Sequence, residues 1–246
     1  MQQGEVFLIP RQTDDEPRHF SYPFDYQEED HIAVIMALIK RKKKMIGHVR
    51  SNCNPEHGRV KYLEELQKHI PVDALGRCGP NGTFFALWNS AEGAFNELLV
   101  EYKFYFAAES MICPDYITEK PIRALAYGSV PVVYGPSSDY YHVLPAGSYI
   151  DVADFKSPKQ LAEYLLLLDK NDALYARYFE FRRDWFVTPP LHNFRNLIVS
   201  MNLCEMCRRI NDPNEPRKSW ENIQKWFSDT ICYPTDTFLK NVMQPQ

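Results

Sequence analysis

No stretch of this chain is apolar for long enough to cross a bilayer: the longest such run, Ile32 to Ile39, is well short of the roughly 20 residues a membrane helix requires. The N-terminal residues, MQQGEVFLIPRQTDDEP, lack a basic start followed by an apolar stretch, so they do not read as a signal peptide. Cysteine is sparse, six in 246 residues, too few for a disulfide scaffold, and a hydrophobic core must carry the fold. Positive charge is not in excess: the formal net charge is −4, which gives no global reason to expect nucleic acid. The seven histidines are scattered, with no helical pair at zinc-protease spacing. What the chain does have is 45% hydrophobic residues, enough for one good core or two small ones.

The most informative stretch is Tyr102 to Pro136, YKFYFAAESMICPDYITEKPIRALAYGSVPVVYGP. YKFYFAA is nearly continuous in apolar character and VPVVYG is a β-branched run, so both read as strands buried on two faces, the pattern of a parallel sheet. Between them lies a short helix. Pro121 helps to place its start, because proline clashes with the carbonyl four residues back unless that residue lies outside the helix. Thr118 is thus the expected N-cap, with Glu119 and Lys120 in the first turn and Gly128 as the left-handed stop. In such a βαβ unit the helix N-terminus sits at the carboxyl ends of the strands, where free N–H groups and the helix dipole favour an anion, typically phosphate, and Lys120 adds a full charge. The plain alternative is that Glu119 and Lys120 are solvated first-turn residues.

The remaining chain reads in order as follows. Residues 1 to about 30, with Pro10, Pro17, Pro23 and two acidic clusters, read as loop. Lys40 to Lys44 is the one strong charge run; a nuclear signal or phosphate patch is weighed against a solvated connector, and the connector is preferred. Met45 to Arg50 is a weak strand, Asn52 to Gly58 a loop, and Val60, Leu63, Leu66 and Ile70 form one stripe of a helix that Pro71 ends. Pro71 to Gly79 is a further strand and turn. Asn81-Gly82-Thr83 is a glycosylation acceptor triplet, meaningful only in a secretory lumen. Ser90 is a candidate cap for a helix over Ala91 to Leu99. Ser148 to Val152 is another strand, Ser157-Pro158 opens a helix with Leu161, Tyr164, Leu165 and Leu168 inward, and Asn171 caps the next, which carries Tyr175, Tyr178, Phe179 and Trp185. Cys204, Cys207 and Cys232 lack the fourth ligand of a structural zinc site, and the Cys-x-x-Cys is not in the strand-to-helix context of a redox motif.

The organising stretch resembles the signature of the α-1,3-fucosyltransferase family, glycosyltransferase family 10. Tyr102, Lys103, Phe104 and Glu109 match it, as do Asp115, Tyr116, Ile117, Thr118, Glu119 and Lys120, and then Gly128, Val130, Pro131, Val132 and Gly135. Ser51, Asn52, Cys53 and Arg59 also occupy family positions, and the likeness runs from about Met45 to Cys232. Ala108 and Ser110-Met111 depart from the pattern: the family has phenylalanine at the first and asparagine, in the donor pocket, at the start of the pair.

The resemblance implies an α/β fold: a Rossmann-like parallel-sheet domain with closing C-terminal helices, the C-terminal half of a GT-B glycosyltransferase. It implies residues 1–44 as remnant or linker, with the acceptor-side domain largely absent, 45–235 as the GDP-fucose-binding domain and 236–246 as a tail. GDP-fucose is the implied donor, bound by Arg59, Glu109, Tyr116, Glu119 and Lys120, with no tightly bound cofactor. The sequence has no Asp-x-Asp triplet of the kind that holds a metal in metal-dependent nucleotide-sugar transferases, so cations and a helix N-terminus are expected to hold the leaving diphosphate. The implied reaction is inverting transfer of L-fucose to a glycan or glycoprotein hydroxyl, with the general base on the upstream domain and no catalytic residue assigned within this chain. Cys204, Cys207 and Cys232 are implied disulfide cysteines, and the family's location is the lumenal face of the Golgi membrane. A donor-binding fragment or pseudoenzyme is the alternative, followed by a nuclear or nucleic-acid module that uses Lys42 to Lys44.

Overall fold

The structure of the chain is a computed structural model that describes residues 8–10, 28–50, 53–54, 58–79, 99–187, 206–217, 219–228, 232 and 235–244. In chain order the elements of its first half are β1 (Leu8–Pro10), α1 (Glu28–Lys40), β2 (Lys44–Val49), α2 (Gly58–Leu66), β3 (Val72–Leu75) and β4 (Tyr102–Ala108). There follow α3 (Glu119–Ala126), β5 (Val130–Tyr134), α4 (Tyr140–Val143), β6 (Ile150–Asp151), α5 (Pro158–Asp169), α6 (Asp172–Ala176), β7 (Trp185–Val187), α7 (Ile223–Ser228) and α8 (Thr235–Val242).

Strands β2 to β6 form one sheet, every pairing parallel, in the order β3-β2-β4-β5-β6. The parallel α/β fold implied by the sequence is what is seen. The chain leaves β2 through α2 to β3 on one side and returns to place β4 on the other. That reversal leaves a crevice at the carboxyl ends of β2 and β4, where doubly wound sheets bind ligands.

Strand β4 is buried on both faces, as its unbroken apolar run requires. Phe104, Phe106 and Ala108 point into a core built with α1, α2, α5, α6 and α8, where Tyr62 stacks on Phe106 with ring centroids 5.9 Å apart. Tyr105 and Ala107 point the other way, into a second core with Ile122, Ala124 and Leu125 of α3 and Tyr140 of α4. Helices α2 and α3 thus cover opposite faces of the sheet.

The punctuation behaves largely as its chemistry dictates. Ser157 accepts from the Gln160 N–H at the start of α5, and Asn171 accepts from the Leu174 N–H at the start of α6. Gly128 ends α3 at φ +72°, a left-handed conformation open to glycine at no cost.

Two terminal stretches differ from the reading as loop or linker and tail. Residues 28–40 form a helix whose His31, Ile35 and Ile39, four residues apart, are buried, the helix packing on α6 and residues 177–183. A short antiparallel ribbon pairs β1 with β7. The expected tail from residue 236 is most of α8, which packs rather than trails: Leu239 and Val242 are buried, and the Phe238 ring meets Tyr134 edge-on at 4.8 Å. The basic run is not simply a solvated connector either. Lys42 donates to the Val100 carbonyl at 2.9 Å, and burial, with Arg182 and Arg41 nearby, pulls it down to about 7. The run stands at the amino end of β2, away from the crevice. Asn81, Ser90 and residues 91–98 of the helix expected over Ala91 to Leu99 lie outside the described residues.

Candidate active site

Glu109 follows the last residue of β4, and its N–H donates to the Tyr134 carbonyl at 2.9 Å, so the carboxylate emerges where the central strands end. It is completely buried. An ionised carboxylate in that position must be paired and hydrogen-bonded. Lys120 Nζ lies 2.7 Å from Oε2, the Thr118 N–H donates to Oε1 at 2.8 Å, and Thr118 Oγ1 lies 2.9 Å from both oxygens. Thr118 is indeed the N-cap of α3 by backbone conformation, yet its hydroxyl makes no cap bond; it is turned to Glu109 and Lys120 instead. The first turn of α3 is therefore bolted to the end of β4.

Close approach of the next strand completes this corner. A Cβ on Gly135 would lie 2.3 Å from the Tyr140 hydroxyl and 3.3 Å from Glu109 Cγ, so only glycine fits. A cavity of about 380 Å³ opens beside Gly135, walled by Pro136, Ser137, Thr237, Phe238 and Asn241.

Arg59 comes from the opposite wall, in the first turn of α2. It is buried, and its Nη1 donates to the carbonyl of Ala108, the last residue of β4, at 3.2 Å. Its Nε has no hydrogen-bond partner among the described residues. Burial pulls the guanidinium below its ordinary range, and the Glu109 carboxylate opposes that pull. Tyr116, in the loop between Glu109 and α3, reaches the Ser110 hydroxyl at 3.0 Å. Glu119 stands half-buried next to Lys120. Of the residues singled out from sequence, the structure brings Glu109 and Lys120 into direct contact, sets Arg59 on the Ala108 carbonyl one residue away, and places Tyr116 and Glu119 at the rim.

Sequence reasoning missed two members of this crevice. His48 on β2 is buried, its Nδ1 lies 2.9 Å from the Phe106 carbonyl, and Nε2 has no partner among the described residues. Burial lowers its pKa to about 3; the Phe106 contact opposes the shift, and Arg59, Arg50 and Lys120 add to it, so the ring is neutral and Nδ1 carries the proton that the carbonyl accepts. Arg50 is the second, its Nε and Nη1 buried and likewise unpartnered. The available signal was positional: polar residues at the carboxyl end of a parallel strand point to a site rather than to packing.

The disulfides also differ from the expected set. Cys53 pairs with Cys78, tying the segments after β2 and β3 together, and Cys113 pairs with Cys232. The second bond anchors the loop that carries Tyr116. Cys207 is exposed and forms no disulfide among the described residues, unlike its place in the expected set, and Cys204 lies outside the described residues. The pairing of Cys232 with Cys113 was not legible because the partners are 119 residues apart and only the fold brings them together. Among the described residues no group of three or more His, Cys, Asp or Glu is arranged to hold a metal ion, and no helix is long and apolar enough to cross a membrane.

Comparison with known proteins places this geometry in context. The family model described as glycosyltransferase family 10 (fucosyltransferase), C-terminal, matches residues 39–226. The chain is 39% identical over 190 residues to mouse 4-galactosyl-N-acetylglucosaminide 3-alpha-L-fucosyltransferase 9, covering 77% of this chain and 49% of that protein. It is 37% identical over 194 residues to mouse alpha-(1,3)-fucosyltransferase 4, covering 77% of this chain and 41% of the relative. The chain thus spans about half the length of the curated relatives it matches. Its fold is similar to a crystal structure of an alpha1,3-fucosyltransferase with GDP-fucose, with a TM-score of 0.50 and 19% identity over 96% of this chain and 59% of that one.

Proposed function

Since the chain belongs to glycosyltransferase family 10, the fucosyltransferases, we propose that its crevice binds GDP-fucose and that it serves inverting transfer of L-fucose to a hydroxyl of a glycan or glycoprotein. The observation that carries this reading is the meeting of Arg59, Glu109 and Lys120 at the switch in strand order, with the arginine's Nε left open. Unfilled guanidinium N–H groups beside a lysine at a helix N-terminus suit a diphosphate.

In the transfer the acceptor oxygen attacks the anomeric carbon on the face opposite the nucleotide. The carbon–oxygen bond to the diphosphate breaks, its electron pair stays on the phosphate, and the acceptor proton passes to a base. Lys120, Arg59 and the first-turn amides of α3 are placed to stabilise the charge gathering on the leaving phosphate. Glu109 holds Lys120 and Thr118 in that orientation, while Tyr116 and Glu119 line the sugar-nucleotide side. In this reading the base belongs to an acceptor-side domain, and residues 45–235 are the donor-binding domain. The two disulfides support an oxidising lumen such as the Golgi as its place of action.

Calorimetric titration with GDP-fucose tests the reading, with UDP-galactose as the control sugar nucleotide and Lys120→Ala as the control protein. Selective binding, lost by about tenfold or more in the variant, is the expected result. A folded chain that binds neither nucleotide overturns it, and binding without transfer in the presence of an acceptor-side domain would assign the chain to an inactive form.

A further inference from the structure

Arg50 directly follows the last residue of β2, so the reversal of strand order sets it at the mouth of the crevice. Its backbone is fixed. The N–H donates to the Leu75 carbonyl at 3.1 Å, and Gly76, at φ +86°, packs so closely that a Cβ there would lie 2.7 Å from the Arg50 carbonyl oxygen. In its side chain, by contrast, Nε and Nη1 are both buried and both lack a hydrogen-bond partner among the described residues. Arg59 on the facing wall shows the same incompleteness, with one N–H on Ala108 and Nε unfilled. Both guanidinium groups bear on the same His48 ring and on each other, which places them in one electrostatic neighbourhood.

Buried donors without acceptors are costly, and arginine cannot escape the cost by losing its proton. Two such groups in one electrostatic neighbourhood also repel. An arrangement of that kind is expected where an anion completes it. The charges at the crevice point the same way. Lys120 is already engaged by the buried Glu109 at 2.7 Å, which offsets part of the charge it presents to a phosphate. Of the cations expected from sequence, only Arg59 is without a contacting carboxylate among the described residues. A donor diphosphate carries one negative charge on each phosphate and gains another when its bond to the sugar breaks, more than one arginine can balance.

We infer that Arg50 is a second guanidinium ligand of the donor's diphosphate, closing with Arg59 on the phosphate that bears the sugar. The inference rests on the donor-site reading above. It makes Arg50 a positioning and charge-stabilising residue for the leaving group. The neutral, acceptor-bearing Nε2 of His48 stands in the same neighbourhood and completes a polar floor rather than adding a third cation.

The test is titration of the whole chain and of Arg50→Met and Arg50→Lys with GDP and with GMP, together with thermal unfolding of the unliganded proteins. Arg50→Met is expected to weaken GDP by about 10- to 100-fold and GMP much less, so that the preference for the diphosphate collapses; Arg50→Lys recovers part of it. Without ligand the Met variant is expected to melt at the same temperature or higher, because it removes buried, unpartnered donors. A structural role for Arg50 predicts the reverse, a lower melting temperature with GDP and GMP weakened alike. Either that pattern or GDP affinity within twofold of the parent, while Lys120→Ala loses binding, overturns the inference alone. Failure of the parent to bind GDP overturns the donor-site reading with it. If the Met variant does not fold, Arg50→Lys carries the test, since an unchanged GDP-to-GMP ratio in it refutes the bidentate role.

Discussion

Asp151 and His48 should pull the stability of this protein in opposite directions with pH, and replacing Asp151 by asparagine should expose the balance. Asp151 ends β6 almost fully buried, and burial pushes its carboxyl up from 3.8 to about 6, although the Ala153 N–H donates to it at 2.9 Å. A carboxyl raised on folding contributes stability that is present below pH 3.8 and lost as pH rises through about 6. A shift of about two units at 1.36 kcal/mol each makes that loss on the order of 3 kcal/mol. His48 is displaced the other way, from 6.5 to about 3, so its contribution is present above 6.5 and is lost as pH falls through 3. Between pH 4 and 6 the folded state holds one proton more than the unfolded at Asp151 and one fewer at His48, and the two slopes of about 1.4 kcal/mol per pH unit cancel. Asparagine keeps the oxygen that receives the Ala153 N–H while removing the titration. Urea unfolding of Asp151→Asn and parent should therefore agree near pH 4 and diverge steadily, the variant becoming more stable by about 2–3 kcal/mol at pH 7. All other titrating groups drop out of the difference. A variant-minus-parent difference that stays flat from pH 4 to 7 would refute the claim that burial dominates at Asp151.

Other substitutions test the packing around the site. Gly135→Ala should cost about 1–3 kcal/mol by driving a methyl into the Tyr140 hydroxyl. Tyr140→Phe removes a buried hydroxyl that has no partner among the described residues, so it should be neutral or mildly stabilising and should rescue much of the alanine defect; additive effects in the urea-melt cycle would disprove the clash. Replacing Cys113 and Cys232 by serine opens a loop closed across 119 residues and should cost about 4–5 kcal/mol, more than the 25-residue loop of Cys53 and Cys78 at about 3–4 kcal/mol. The reverse order under non-reducing urea denaturation would show that strain or residual unfolded-state structure outweighs loop length.

What could be read from the sequence follows the range of the forces involved. The βαβ unit from Tyr102 to Tyr134 was legible because each of its signals is local: two-face apolar runs for the strands, Pro121 for the helix start, Gly128 for its end. The caps Ser157 and Asn171 were legible for the same reason. Helix α1 was not, because its buried stripe includes His31 and its charged ends resemble linker, and only contact with α6 and residues 177–183 selects the helical phase. Helix α8 was missed likewise, since eight residues of mixed polarity are marginal alone and gain their stability from Phe238, Leu239 and Val242 against the sheet.

Glu109 shows why the chemistry of the site needed the fold as well as the motif. A buried carboxylate beside a subsite for phosphate looks misplaced, because it repels the ligand as strongly as a lysine attracts it. The geometry resolves this. Three donor groups converge on Glu109, namely the Thr118 N–H, the Thr118 hydroxyl and the Lys120 ammonium, and Gly135 closes over its Cγ, so the carboxylate is turned inward and satisfied. Its work is to fix the first turn of α3 and the direction of Lys120. That assignment leaves Lys120 to share the attraction of a diphosphate with the guanidinium groups that have open donors. The sequence motif names Glu109 and Lys120 together, but the arginines that stand across the crevice from them are brought there by the parallel pairing of β2 with β4.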